Sequence, residues 1–372
     1  MANNHRRFTS VEICAGAGGQ AIGLEMAKFE HLALVEIDPH ACQTLRVGFE
    51  GSQVIEGDVR EFLAAVKNDA SDYADLDLLA GGVPCPPFSL AGKQLGQDDE
   101  RDLFPVMLDL VAVLQPKAVM IENVRGLLQS KFEPYRRQIL ARLEALGYEE
   151  TDWDRFEASD FGVPQLRPRS ILVALRKDIA PYYSAPERGK VTTPTVGEAL
   201  MKSMVLRGMS EEDAAAWADG ADNIAPTLVG GSKKHGGADL GPSRAKAQWK
   251  AMNIDAWAVA DDNAPPVPVI PKGHKEARVN GPRLTVAQAA RLQGFPDNWP
   301  FQGGKTARYR QVGNAFPPPV AEAVATQIRE AIEAAERGDP LPVVPEQQQR
   351  SVTSIPRRSR APRTAEPANL PQ

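Results

Sequence analysis

The chain has little cysteine, few aromatic residues and no long apolar run, and each shortage excludes something. Cys14, Cys42 and Cys85 are the only cysteines in 372 residues. An odd set without paired spacing argues against a disulfide framework and for a reducing compartment. No Cys/His group has the spacing of a zinc site, so no metal is expected, and a zinc deaminase is excluded for want of its His and paired Cys ligands. No stretch reaches membrane-spanning length, and Met1 to Ser10 is polar and basic. That composition reads as a soluble cytoplasmic protein with no membrane partner. The dinucleotide G-x-G-x-x-G pattern and the P-loop are both missing, which disfavours nicotinamide, flavin and nucleotide phosphate ligands.

An excess of positive charge is also lacking, since the formal net charge is −5. The charge is uneven, however. Residues 181–310 carry 17 Lys and Arg against 13 Asp and Glu, and residues 337–372 carry six Arg against three acids. A basic middle on an acidic body is compatible with a polyanion bound along one face; ordinary solvated charge gives the same pattern. A chain of this length predicts one large domain plus a smaller one.

The first ~180 residues alternate short apolar runs with helical segments. Val11-Glu12-Ile13 leads into Ala15-Gly16-Ala17-Gly18-Gly19 and a helix from Gln20 to Phe29. Leu32 to Val35 ends at Glu36-Ile37-Asp38, with Pro39 opening another helix. Val54-Ile55 precedes Asp58, Leu76 to Leu79 precedes the Cys85 loop, and Ala118 to Ile121 ends at Glu122-Asn123 after a helix over 103–114. Alternating strands and helices predict an α/β fold with a doubly wound, mostly parallel sheet, which binds ligands beyond the carboxyl ends of its strands. The polar clusters all fall there. From about Pro181 to Pro282 the pattern gives way to a loop-rich region with helices only at 194–202 and 211–218. Helices return at 284–292 and 320–336, and the Pro-, Gln- and Arg-rich tail after Gly338 reads as disordered.

Three features suggest an adenosine-type ligand: the glycine turn after the first strand, Glu36 17 residues past Gly19 at the end of the second, and Asp58 at the end of the third. Glu36 suits ribose hydroxyls and Asp58 an adenine amine; both acids could instead cap the helices after them. Cys85 follows Pro84 on a Gly/Pro-rich loop beyond an apolar strand, a placement that exposes its sulfur. A nucleophile and a buried cysteine both remain open on residue type alone.

The order of six stretches resembles the prokaryotic DNA (cytosine-5) methyltransferases. They are Ala15-Gly16-Ala17-Gly18-Gly19, Pro84-Cys85-Pro86-Pro87-Phe88-Ser89, Glu122-Asn123-Val124, Gln165-Leu166-Arg167-Pro168-Arg169, Arg291-Leu292-Gln293-Gly294-Phe295-Pro296 and Gln311-Val312-Gly313-Asn314. The resemblance covers about 8–180 and 280–330. Two residues depart from it: Cys14 stands where the family usually has Phe, and Pro86 where Gln is common.

The resemblance implies a fold of the S-adenosylmethionine-dependent methyltransferase type with a smaller loop-rich target-recognition domain. Its parts would be a catalytic domain at 1–180 and 305–336, a recognition region and hinge at 181–304, and a tail at 337–372. It implies methylation of cytosine carbon 5 in a specific double-stranded DNA sequence, with Cys85 adding to carbon 6 of a flipped-out base. Glu122, Arg167 and Arg169 would complete the catalytic set, Arg167 being a candidate to organise Glu122. S-adenosylmethionine would be held by Cys14, Ala15, Gly16, Gly18, Gly19, Glu36, Ile37, Asp58, Val59, Pro84 and Asn314. DNA would meet Ser89, Lys93, Arg101, Gln165, Lys233, Lys234 and Arg244, with 89–101 closing over it as a loop. The enzyme would act as a monomer, either solitary or partnered by a cognate restriction endonuclease acting separately. An RNA methyltransferase on the same catalytic half, and a DNA-binding regulator that kept the fold without catalysis, are the competing readings.

Overall fold

The computed structural model describes residues 6–84, 102–230, 238–266 and 281–341. Seven strands form one sheet: β1 (Phe8–Ile13), β2 (Phe29–Glu36), β3 (Val54–Glu56), β4 (Leu78–Gly81), β5 (Ala118–Val124), β6 (Tyr148–Glu157) and β7 (Pro168–Arg176). Their order is β3-β2-β1-β4-β5-β7-β6. The first five strands are parallel, and β7 runs antiparallel to both β5 and β6. Strand order reverses at β1/β4, so the carboxyl ends of these two strands border the crevice where such sheets bind ligands.

Strand periodicity explains the two-sided core. Successive side chains point to opposite faces, so Leu78, Ala80, Ala118 and Met120 pack on one side with helices α1 (Gly19–Met26) and α11 (Pro318–Arg337). Leu79, Val119 and Ile121 pack on the other, under α3 (Val59–Asn68), α4 (Phe104–Leu114) and α5 (Glu133–Ala145). Because both faces are covered, β4 and the first four residues of β5 are apolar, which makes them readable as short runs. Phe29 opens β2 rather than closing the preceding helix. Lys28 turns the chain at φ 74°, and the Phe29 ring packs edge-on against Phe8 at 5.8 Å.

A third cluster gathers the segments that read as loop-rich. Helices α6 (Val196–Leu206), α7 (Glu211–Gly220), α8 (Ser243–Ala251) and α9 (Val286–Leu292) surround Trp217, Trp249 and Met252, and this core continues onto Leu45 and Phe49 of the sheet body. Capping boxes start α6 (Thr195 with Glu198) and α9 (Thr285 with Gln288), each satisfying two amides that a helix start leaves open. Helix α10 (Lys305–Asn314) follows, tied to the preceding region by Lys305–Asp261 at 2.9 Å and Arg308–Asp262 at 2.6 Å. Among the described residues no helix is long and apolar enough to cross a membrane.

Candidate active site

Two cavities meet at the carboxyl ends of β1, β4 and β5. The first, about 350 Å³, lies between the Cys14–Gly19 turn, the end of β2 and α10. The second, about 720 Å³, is an open groove between the end of β5, the start of β7 and residues 227–230. Gly82, Pro84, Glu122 and Asn314 line both.

The first cavity brings together Cys14, Ala15, Gly16, Gly19, Glu36, Pro84 and Asn314, all expected there, and leaves Gly18, Ile37, Asp58 and Val59 off its wall. Glu36 accepts hydrogen bonds from the amides of Gly16 (2.7 Å), Ile37 (2.9 Å) and Asp38 (2.8 Å), and so fixes the glycine turn to the end of β2. It does not cap the next helix α2 (Pro39–Gly48); Asp38 does that. Asp58 caps α3, accepting from the Arg60 amide at 2.8 Å and pairing with its guanidinium at 3.2 Å. Val59 is buried, and Ile37 is 65% exposed.

Three residues of this cavity carry signals that the motifs do not. Glu12, on β1, is buried with its Oε2 unpartnered among the described residues, and burial reinforced by Glu36 pushes its carboxyl well above the usual range. Gln20 is also buried with neither amide atom bonded, and Arg310 of α10 has an unpartnered Nε. Unmet polar atoms on a cavity wall are satisfied by water or by a polar ligand that enters it. An acid inside the apolar run Val11-Glu12-Ile13 was the available sequence signal for Glu12.

Cys14 sits in the left-handed region at φ 53°, which is strained for a residue with a side chain. Its thiol is pushed up to about 12 by burial, then by Glu36, Glu12 and Asp58. The Cys42 thiol rises to about 12 by burial and then by Glu36, and it donates to the Glu36 carbonyl at 3.2 Å. Both thiols are thus harder to ionise than a free thiol, which disfavours attack by either. Cys85 is the remaining cysteine; it lies outside the described residues, as do Ser89, Lys93, Arg101, Lys233, Lys234 and the tail beyond 341.

At the shared corner, Glu122 pairs with Arg169 at 2.6 Å with both side chains largely buried. A Cβ on Gly82 would fall 3.2 Å from Glu122 Oε2, so the chain passes close behind the carboxylate. Asn123 donates to the Val83 carbonyl at 2.8 Å and accepts from the Val124 amide at 2.8 Å. The end of β5 is thereby locked to the stem that leads into Cys85.

Arg167 is placed differently from its expected role. It is 1% exposed and donates to the carbonyls of Leu228 (2.6 Å), Gly313 (2.8 Å) and Ala315 (2.8 Å). Arg169 takes the pairing with Glu122 instead, and Arg167 clamps two distant segments, at Leu228 and at the end of α10. Gln165, expected at the DNA surface, is fully buried. Its amide donates to the Leu292 carbonyl at 3.2 Å and to Gln293, and its oxygen accepts from the Leu228 amide at 2.9 Å. With its amide so engaged under the groove, it cannot reach a duplex. Arg244 is exposed on α8. Where residues 227–230 meet α10, two glycines touch backbone to backbone: a Cβ on Gly313 would lie 2.3 Å from the Gly230 nitrogen. No group of three or more His, Cys, Asp or Glu among the described residues could hold a metal ion.

Residues 8–330 match the family model of the C-5 cytosine-specific DNA methylases. The chain belongs to this family. Type II methyltransferase M.NaeI of Lentzea aerocolonigenes is 54% identical over 323 residues, covering 87% of this chain and 75% of that protein. Type II methyltransferase M.NgoMIV of Neisseria gonorrhoeae is 48% identical over 333 residues, covering 88% of this chain and 98% of that one. Among solved structures, a putative DNA modification methyltransferase encoded within an E. coli prophage aligns with a TM-score of 0.57 at 23% identity, over 88% of this chain and 99% of that one. S. pombe Dnmt2 aligns with a TM-score of 0.54 at 19% identity, covering 88% and 99%. The sheet is thus that of the α/β methyltransferases, and the cytosine methyltransferase is of the restriction-modification type.

Proposed function

We propose that this methyltransferase transfers a methyl group from S-adenosylmethionine to carbon 5 of a flipped-out cytosine in a specific double-stranded DNA sequence, through a Cys85 adduct at carbon 6. The observation that carries the reading is the shared corner. Gly82, Pro84, Glu122 and Asn314 line both the enclosed cavity and the open groove, so a donor in one and a base in the other would meet there.

The first cavity suits S-adenosylmethionine. The unpartnered Glu12, Gln20 and Arg310 atoms are matched in kind to an ammonium and a carboxylate, and Glu36 remains the candidate for the ribose. Ile37, Asp58, Val59 and Gly18 would support this end from outside the wall. Bound there, the donor supplies an electrophilic methyl group on a sulfonium.

The chain's own residues do the rest. A base inside a duplex hides carbon 6, so it must leave the stack, at a cost of a few kcal/mol. The Cys85 thiolate forms a bond to carbon 6, and the ring's double-bond electrons shift toward carbon 5, which becomes nucleophilic. Glu122, held by Arg169, hydrogen-bonds the exocyclic amine and ring nitrogen 3, where negative charge gathers. After methylation, the carbon 5 proton leaves to water and the sulfur is expelled. The raised thiols of Cys14 and Cys42 favour Cys85 as nucleophile. The family and the type II relatives support protection of DNA from a cognate endonuclease in the cytoplasm, and the chain is read as acting alone as a monomer.

The test is trapping on duplex DNA containing 5-fluorocytosine, which cannot lose its carbon 5 substituent as a proton. A covalent adduct that needs S-adenosylmethionine and disappears in Cys85→Ser is expected. Methyl transfer persisting in Cys85→Ala would defeat the reading.

A further inference from the structure

Three arginines come to the groove, and each is engaged differently. Arg167 is buried with both terminal nitrogens held by carbonyls, and Arg169 is committed to Glu122. Arg125 is exposed, lines the groove, and has no hydrogen-bond or ion-pair partner among the described residues. It lies three positions past Glu122, one step beyond the register pair Val124–Arg169.

Its base is held firmly. Arg125 opens a short 3-10 turn, Arg125–Leu128, whose Leu127 is buried and whose Leu127 and Gln129 carbonyls accept from Arg136 at 2.6 and 3.1 Å. A fixed backbone carrying a free guanidinium is a preorganised anion receptor. Arg125 lines the groove and not the enclosed cavity, so its anion arrives with the substrate rather than with the methyl donor. Val124 and Val229, also on the groove wall, are 56% and 39% exposed. Apolar side chains flanking an unpaired arginine suit a sugar beside a phosphate.

We propose that Arg125 binds the backbone phosphate bordering the target cytosine, and so positions the extruded nucleotide over Glu122. This assignment rests on the DNA-methylating reading above. Phosphate contacts set register and orientation without reading sequence, so Arg125 is a positioning residue that leaves target choice untouched.

The experiment uses the full-length enzyme and a duplex carrying the site that wild type methylates, mapped by bisulfite sequencing of exposed genomic DNA. DNA affinity is measured by fluorescence anisotropy across a salt series with S-adenosylhomocysteine present. Arg125→Ala is expected to reduce the slope of log affinity against log salt by about 1 and to weaken binding about tenfold near physiological salt. Arg125→Lys, which keeps the charge, should retain the wild-type slope, as should Arg7→Ala just before β1, at the end of the sheet opposite the site. kcat at saturating DNA should fall as well in Arg125→Ala, by about tenfold, and Arg125→Lys should recover most of it. An unchanged salt slope in Arg125→Ala overturns the assignment, and so does a fall in kcat at saturating DNA with the slope intact, which would move the role to the Glu122–Arg169 pair. If wild type leaves no methylated cytosine in any DNA, the functional reading itself falls, a result distinct from either.

Discussion

The two cavities that meet at Glu122 are built on opposite plans. The smaller is made mostly of turn backbone and buried side chains: Glu36 already spends its carboxylate on three amides, and its inner wall carries Glu12 and Gln20 away from solvent. The larger is an open groove whose wall is drawn from segments far apart in the chain, residues 122–125, 167–169, 227–230 and 313–314. A donor common to every turnover can be met by a rigid receptor. A long polyanion must enter sideways and be gripped from several directions. The difference teaches that the smaller side is held by local turns as well as by α10, whereas the open side leans chiefly on one buried clamp that also reaches the smaller side at Ala315.

That contrast can be broken hardest at the clamp. Arg167→Met would leave the carbonyls of Leu228, Gly313 and Ala315 without their donor, and a stability loss of about 3–5 kcal/mol is expected in urea unfolding. Both cavities should suffer, since Asn314 sits between two of those carbonyls in sequence. If the variant keeps wild-type stability, the clamp is not what assembles the groove. Next comes the shared corner. Glu122→Gln keeps the shape but loses the anion paired with Arg169, and kcat should drop about 10²–10³-fold. Affinity for S-adenosylhomocysteine, read by calorimetry, should be nearly unchanged; a parallel loss would show that the corner belongs to the enclosed side alone.

The smallest effect is a calibration away from both sites. His31 is buried between the Ser10 hydroxyl (2.9 Å) and the Ala21 carbonyl (3.1 Å). Burial holds its imidazole down to about 4 against an ordinary 6.5. The unfolded chain then binds the extra proton, so stability present above pH 6.5 is lost as pH falls toward 4. Between pH 6.5 and 5 wild type should lose about 1.5 kcal/mol more than His31→Gln. Equal losses would mean that the ring is not held neutral.

The legible parts of the molecule were those where residue type and environment agree. Leu78-Leu79-Ala80 and Ala118 to Ile121 are apolar because helices cover both sheet faces, and a reader of sequence sees them at once. Strand β6, Tyr-Glu-Glu-Thr-Asp-Trp-Asp-Arg-Phe-Glu, went unread because an edge strand keeps charge on its open side. Helices α8 and α10 hid for a related reason. Each buries few large side chains, chiefly Trp249 in one and Tyr309 and Val312 in the other, amid polar residues. In the site, the glycine turn and the end of β5 lie within single motifs, and their chemistry could be named. Gln165 was read as a DNA contact and Arg167 as an organiser of Glu122, because amides and guanidinium groups are usually not fully buried. Their partners lie 61 to 148 residues away in sequence, and nothing local announces them. Glu12 was visible as an acid in a strand, but only the cavity beside it gives that acid a use.

The backbone-to-backbone touch of Gly230 and Gly313 has a consequence for how such enzymes change. The joint has no room for a side chain at either glycine, since a Cβ on Gly230 would also lie 2.4 Å from Asn314 Oδ1. Segments downstream of Gly230 can drift, lengthen or be exchanged without disturbing the packing next to Asn314, provided that neither glycine acquires a Cβ. Space for two Cβ atoms is thus given up so that residues 227–230 can lie against the end of α10.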